Sequence, residues 1–138
     1  MQPTRVLVLG PEGAGRTALE RTLSRLGYAV SAADARRHAP HEDADILMLD
    51  VRGDEAGWAD IAPGIRHDER PVMIVSERPS PIVRELAGRP AGTMLLTGGE
   101  SDAGYRVALS VLRALRESAL ARSTGRPRNG AAARVAAL

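Results

Sequence analysis

Cysteine, lysine and phenylalanine are all missing from this 138-residue chain. Without cysteine there is no disulfide, no thiolate nucleophile and no cysteine-ligated zinc. Without lysine, all nineteen basic residues are arginine, which excludes any mechanism that needs an ε-ammonium. One Trp and two Tyr are the only aromatic residues, so Val, Leu, Ile, Met and Ala must fill the core. That suits tightly wound βα units, in which aliphatic strands pack against Ala-rich helix faces. No apolar run approaches the roughly 20 residues of a membrane-spanning helix. No signal-peptide core follows Met1, and a cytoplasmic location is the expectation.

What is present fits one globular domain: the length suffices for a single core, and 43% of the residues are apolar. The net charge of +2 hides an asymmetry. Residues 1–118 hold fifteen arginines and seventeen acids, whereas residues 119–138 hold four arginines and no acid. The expected division is therefore a mildly acidic domain over 1–118 and a basic, flexible tail over 119–138. A short basic tail is ordinarily solvated, and nothing in it demands nucleic acid.

Apolar patterning divides the domain into alternating strands and helices. Arg5 to Gly10 reads as a buried strand, and Arg16 to Leu26 as a helix with Leu19, Leu23 and Leu26 on one face, stopped by Gly27. Tyr28 to Ala33, Ala44 to Val51, Pro71 to Val75 and Thr93 to Leu96 supply four further strands. The connector from Asp34 to Asp43 has room for only a stub helix. A short helix around Trp58 and Ile61 is expected to be interrupted by Pro63-Gly64. Ser80-Pro81 forms a helix start, with a capping oxygen followed by a ring suited to the first turn. Ser101 to Leu120 forms the last helix. This order predicts a parallel sheet with right-handed crossovers, whose functional surface lies at the carboxyl ends of the strands. Gly10, Glu12, Asp50, Ser76 and Thr97 fall there.

Two readings compete for that edge. Gly10-Pro11-Glu12-Gly13-Ala14-Gly15-Arg16-Thr17 is one residue away from a phosphate-binding loop, with Arg16 in place of the lysine, and it lies between a strand and a helix as such loops do. Gly10, Gly13, Gly15, Arg16 and Thr17 would then cradle a phosphate or nucleotide, and Asp50 would be a magnesium-associated acid. Glycine-rich turns also occur for steric reasons alone. Among smaller signals, His38-x-x-His41-Glu42-Asp43 has metal-like spacing but reads as a solvated connector. His67-Asp68-Glu69-Arg70 reads as surface, and Trp58 as a cover for the sheet.

The second reading rests on strand ends. Asp50 closing ILMLD, Ser76 after the fourth strand, LLTG after the fifth and RTLSRLGYAV between the first helix and second strand resemble response-regulator receiver (CheY-like) domains over roughly residues 4–118. The resemblance implies a flavodoxin-like fold: a five-stranded parallel sheet in the order 2-1-3-4-5, flanked by helices, with the second helix short or missing. It implies a phosphoacceptor place at Asp50, switch places at Ser76 and Thr97, and a metal place at Glu12 and Asp50. The sequence departs from that pattern. Gly10-Pro11 replaces the acid pair, Thr97 replaces the lysine and Met94 lies at an aromatic switch position. A phosphoryl group moving to a carboxylate needs a divalent cation, usually held by carboxylates. Asp50 alone is a poor cage for one, so the expected cofactor is none, with at most weak Mg²⁺ binding.

The expectation is a non-enzymatic pseudo-receiver, a phosphorylation-independent protein-interaction module of bacterial signal transduction. The alternatives are a phospho-accepting receiver at Asp50 and a degenerate phosphate-binding loop. The resemblance also implies a partner or homodimer face over residues 80–118, with Val107, Val111, Arg113 and Arg116 as contacts. Membrane and nucleic-acid partners are not expected.

Overall fold

The computed structural model describes residues 2–35, 43–53, 56–90 and 92–123. Strands β1 (Arg5–Leu9), β2 (Ala29–Ala33), β3 (Ile46–Asp50), β4 (Val72–Val75) and β5 (Thr93–Leu96) form one parallel sheet in the order β2-β1-β3-β4-β5. Helices α1 (Ala14–Arg25), α2 (Ala62–Arg66), α3 (Pro81–Ala87) and α4 (Asp102–Ser123) cover its faces. Strand order and connectivity agree with the sequence reading.

Alternation along the strands builds two apolar layers. Leu7, Leu9, Leu47, Leu49, Val72 and Ile74 pack on one face with Trp58, Ile65 of α2, and Val83 and Leu86 of α3. Val6, Val8, Ile46, Met48, Met73 and Val75 pack on the other with Leu19 and Leu23 of α1, and Tyr105, Leu109 and Leu112 of α4. Strands β3 and β4 are wholly buried, as a central parallel strand covered on both faces must be. Trp58 is 1% exposed and belongs to the core, as a sheet cover should.

The helix ends follow local chemistry. Ser80 Oγ accepts the Val83 N–H at 3.2 Å, and Pro81 occupies the first turn of α3. Gly27 ends α1 at φ +99°, with Gly27 N–H on Ser24 O and Tyr28 N–H on Leu23 O, the paired bonds of a Schellman turn. Pro63-Gly64 does not interrupt a helix as expected. It lies in the first turn of α2, where proline lacks a donor that the helix would not use.

Other expectations change as well. Asp68 and Arg70, read as surface, form a buried pair with their side chains 3% and 4% exposed: Arg70 Nη2 donates to Asp68 Oδ2 at 2.7 Å. Arg89 donates to the carbonyls of Asp68, Arg70 and Gly92, and burial pulls its guanidinium below the ordinary arginine range. Their neighbours His67 and Glu69 are exposed. Helix α4 runs to Ser123, three residues past the helix end expected at Leu120. His38, His41, Glu42 and residues 124–138 lie outside the described residues, so the stub helix, the histidine spacing and most of the basic tail go with them. Among the described residues, no helix is long and apolar enough to cross a membrane.

Candidate functional site

Parallel register brings the strand ends to one edge. Leu9 pairs with Leu49, Asp50 with Val75, and Val75 with Leu96, so Gly10, Asp50, Ser76 and Thr97 form one rim. Asp50 is buried there, its side chain 5% exposed. A charge so placed needs a partner, and Arg52 provides it. Arg52 Nε donates to Asp50 Oδ1 at 2.8 Å and Arg52 Nη2 to Oδ2 at 3.1 Å, a forked, charge-assisted pair. The Arg52 backbone N–H reaches Oδ1 at 3.3 Å. The Asp50 carboxylate beside it raises the Arg52 guanidinium above its ordinary range, against the pull of burial.

The guanidinium is seated between two glycines. Arg52 Nη2 donates to Gly15 O at 3.4 Å. A Cβ placed on Gly15 would lie 3.1 Å from Arg52 Nη2, and one on Gly98 would lie 2.4 Å from Nη1. Gly98 also has φ +96°, a conformation that L side chains rarely adopt. The first turn of α1 and the loop after β5 thus leave the space that Arg52 fills.

Ser76 and Thr97 serve their own loops. Ser76 Oγ donates to Arg78 O at 2.7 Å, closing a tight turn. Thr97 Oγ1 donates to Glu100 Oε2 at 3.0 Å and accepts the Gly99 N–H at 3.2 Å. Glu100 also accepts the N–H groups of Thr97 at 2.8 Å and Gly98 at 2.9 Å. Burial works against the Glu100 charge, but the backbone donors of Thr97 and Gly98 outweigh it and hold the carboxyl below its usual range. Tyr105 lies beneath, and burial, then the Glu100 charge, pushes its phenol up.

The receiver resemblance implies a divalent cation beside Asp50, and the residues present do not fit one. Both Asp50 oxygens accept from Arg52. Gly10 stands where carboxylates are expected, and a Cβ there would fall 3.0 Å from Asp50 Cβ and 3.1 Å from Asp50 O. Glu12 is exposed in the loop. Among the described residues, no group of three or more His, Cys, Asp or Glu side chains could hold a metal. A cation approaching Asp50 meets a guanidinium.

The alternative phosphate loop is folded on itself. Arg16 Nη1 donates to Gly10 O at 3.2 Å, and Arg16 Nε lies 3.6 Å from Glu20 Oε2. The guanidinium closes the loop from Gly10 to Arg16, and the Thr17 N–H donates its helical bond to Gly13 O at 3.0 Å. Of the expected interface residues, Val107 and Val111 are 63% and 45% exposed, and Arg113 is exposed with Glu117 at 3.4 Å. Arg116 differs: its Nε is buried, and it lines a hollow of about 230 Å³ with Thr4, Arg5 and Asp45 at the opposite edge of the sheet. Beside β5, an apolar cleft of about 300 Å³ lies between α3 and the strand, lined by Pro79, Val83, Ala87, Leu95 and Leu96 among others.

The sequence places Gly98 at this edge, in LLTG after the fifth strand, but the pairing of Arg52 with Asp50 and the parts played by Glu100 and Tyr105 emerge only from the structure. Two signals were there: an arginine two residues past the acid, and Thr-Gly-Gly-Glu at the lysine place. No family model and no curated protein sequence matches the chain. Solved structures do match. A fusion of the yeast Spc42 trimeric coiled coil (amino acids 181–211) to another protein has TM-score 0.68 at 16% identity, covering 87% of this chain and 83% of that one. Vibrio cholerae chemotaxis protein CheY4 has TM-score 0.62 at 18% identity, covering 80% and 99%. A Burkholderia phymatum response regulator receiver protein has TM-score 0.56 at 20% identity, covering 79% and 94%. With a parallel sheet in the order β2-β1-β3-β4-β5 and two receiver structures matched almost end to end, the chain has the CheY-like, flavodoxin-like receiver fold.

Proposed function

We propose that this chain is a pseudo-receiver, a non-enzymatic protein-interaction domain of bacterial signal transduction that works without aspartyl phosphate. The observation that carries the reading is the forked pair between Asp50 and Arg52. Phosphoryl transfer asks a carboxylate oxygen to attack while a metal neutralises the oxygens of the moving group. Here the tethered guanidinium uses both carboxylate oxygens. With no lysine in the chain, no ammonium can compensate the charge of a phosphorylated product. Arginine is no equivalent, because its planar fork is matched to carboxylate and is already so engaged. The domain's output then lies in the surface it presents to proteins, in the cytoplasm. The face over residues 80–118 is the candidate for a signalling partner or a second copy.

Incubation with acetyl phosphate and Mg²⁺, read by intact mass, tests this. No phosphoryl adduct is expected. An adduct that disappears in Asp50→Asn would establish a working phosphoacceptor and overturn the reading.

A further inference from the structure

The last helix carries a second surface unrelated to the rim. Gly104, Val107, Val111, Ala114, Ser118 and Ala121 recur at alternating spacings of three and four along α4, the a and d seam of a coiled coil. All six are uncharged, and none of them is in the buried core. The core side of α4 is made instead by Tyr105, Ala108, Leu109 and Leu112, roughly a third of a turn away at 3.6 residues per turn. The far flank is already covered, because Asp102 is held by Arg25 of α1 through two bonds of 2.7 and 3.1 Å. The seam therefore opens away from α1, on the side of the edge strand β5. There Leu115, 43% exposed, lies over the backbone of Gly92, where a Cβ would come within 2.5 Å of it.

We infer that α4 pairs with α4 of a second copy, in parallel and in register. This rests on the reading of residues 80–118 as a partner face and fixes which part of that face is used, and how. The charges bordering the seam select the orientation. With Gly104 at an a position, Glu117 falls at g and Arg122 at e, the pair that faces across a parallel dimer from one heptad to the next. Each Glu117 then meets Arg122 of the second copy, twice per dimer. Within one chain, among the described residues, Glu117 makes an exposed contact with Arg113 at 3.4 Å, which it can exchange. An antiparallel pair centred between Val111 and Ala114 leaves Glu117 and Arg122 without opposite charges. Small residues at four of the six seam positions let the axes approach toward the close end of the 8–10 Å range. Two helices alone bury less than the standard interface of about 1,600 Å², so the dimer is expected to be weak, dissociating at micromolar concentration.

Sedimentation of the full chain over a range of concentrations tests the inference. The expected result is a monomer–dimer equilibrium that Val111→Glu weakens at least tenfold, with far-UV circular dichroism unchanged because Val111 is on the surface. Glu117→Arg and Arg122→Glu should each weaken it by about twofold to fivefold, the scale of exposed pairs, and the double swap should restore it. The cysteine-free chain allows a direct reading of orientation: Val107→Cys and Ser118→Cys should each oxidise to a disulfide-linked homodimer. A chain that stays monomeric throughout overturns both this inference and the homodimer reading. A dimer that ignores Val111→Glu but is lost with Leu95→Glu places the contact in the cleft beside α3 and overturns this inference alone. So does cross-linking that occurs only between Val107→Cys and Ser118→Cys chains when they are mixed, the antiparallel outcome.

Discussion

Arg52 Nε lies 2.8 Å from Asp50 Oδ1 while Arg52 Nη2 lies 3.1 Å from Oδ2, so an arginine two residues along the chain turns back to clasp the carboxylate at the end of its own strand. Asp50 is nearly sealed from solvent and Arg52 retains 22% exposure. The pair is thus buried at the acid and wet at the base. Such an arrangement fixes geometry more than it adds stability, because desolvation offsets much of the attraction.

Removing both partners should therefore cost less than the sum of removing each alone. Arg52→Ala strands a buried carboxylate and is expected to cost roughly 2–4 kcal/mol, the range for a broken buried pair reduced for the partial exposure of the base. Asp50→Asn should cost about 1 kcal/mol, because the amide still accepts one bond and the guanidinium can turn to water. The double variant should fall short of the summed costs by about 1 kcal/mol or more, beyond the few tenths expected of independent sites. Urea denaturation of the four proteins measures this. Additive costs would mean that the pair carries no coupling.

The glycine seat gives a second prediction. Gly98→Ala forces an L residue to φ +96° and drives a Cβ to within 2.4 Å of Arg52 Nη1, and should cost about 2–3 kcal/mol. In an Arg52→Ala background the backbone strain and a 3.2 Å approach to Val75 Cγ1 remain, so the same substitution should cost about 1 kcal/mol less. Gly15→Ala meets the movable end of Arg52 at 3.1 Å and Asp50 Oδ2 at 3.3 Å, against a gain in helix propensity of about 1 kcal/mol. It should be close to neutral in thermal melting, which separates the two glycines by position rather than by residue type.

Glu100 sets a pH dependence. Its carboxyl is held below its ordinary value of 4.5, because the N–H groups of Thr97 and Gly98 favour the charged form more than burial opposes it. A folded-state value below the unfolded one gives stabilisation that is complete above about 4.5 and is lost as pH falls through the folded value. The amide resonances of Thr97 and Gly98 should hold steady from neutrality to about pH 5 and move together in more acid solution. In Glu100→Gln the same resonances should show no such step. Movement already near neutrality would show that Glu100 does not hold this loop.

The sheet was legible because its evidence is local and repeated. ILMLD can only be a central strand, and Ser80-Pro81 and Gly27 mark helix ends through capping chemistry that acts over a few residues. The boundary of α2 was misread because Pro63 breaks a helix interior but suits a first turn, and sequence alone does not give the position within the helix. Asp68-Glu69-Arg70 looked like surface for a similar reason. Three consecutive charges ordinarily are, and only the path of Arg89 beneath them shows that two are buried. At the rim, Asp50, Ser76 and Thr97 fell into place from strand order. What joins them did not, because the seating of Arg52 between Gly15 and Gly98 depends on the first turn of α1 and the loop after β5, 83 residues apart in the chain, meeting across the sheet edge.

The most direct measurement follows the two side chains themselves. With Asp50 ¹³Cγ and Arg52 ¹⁵Nε observed by NMR, Mg²⁺ and beryllofluoride are added to the full chain at neutral pH, with Trp58 fluorescence recorded in parallel. The clasp predicts that neither resonance moves and that the Trp58 emission stays flat, because the carboxylate oxygens are already taken. A saturable shift of both resonances, abolished by Asp50→Asn, would mean that Arg52 gives way to a metal-bound phosphoryl analogue and that the account is wrong.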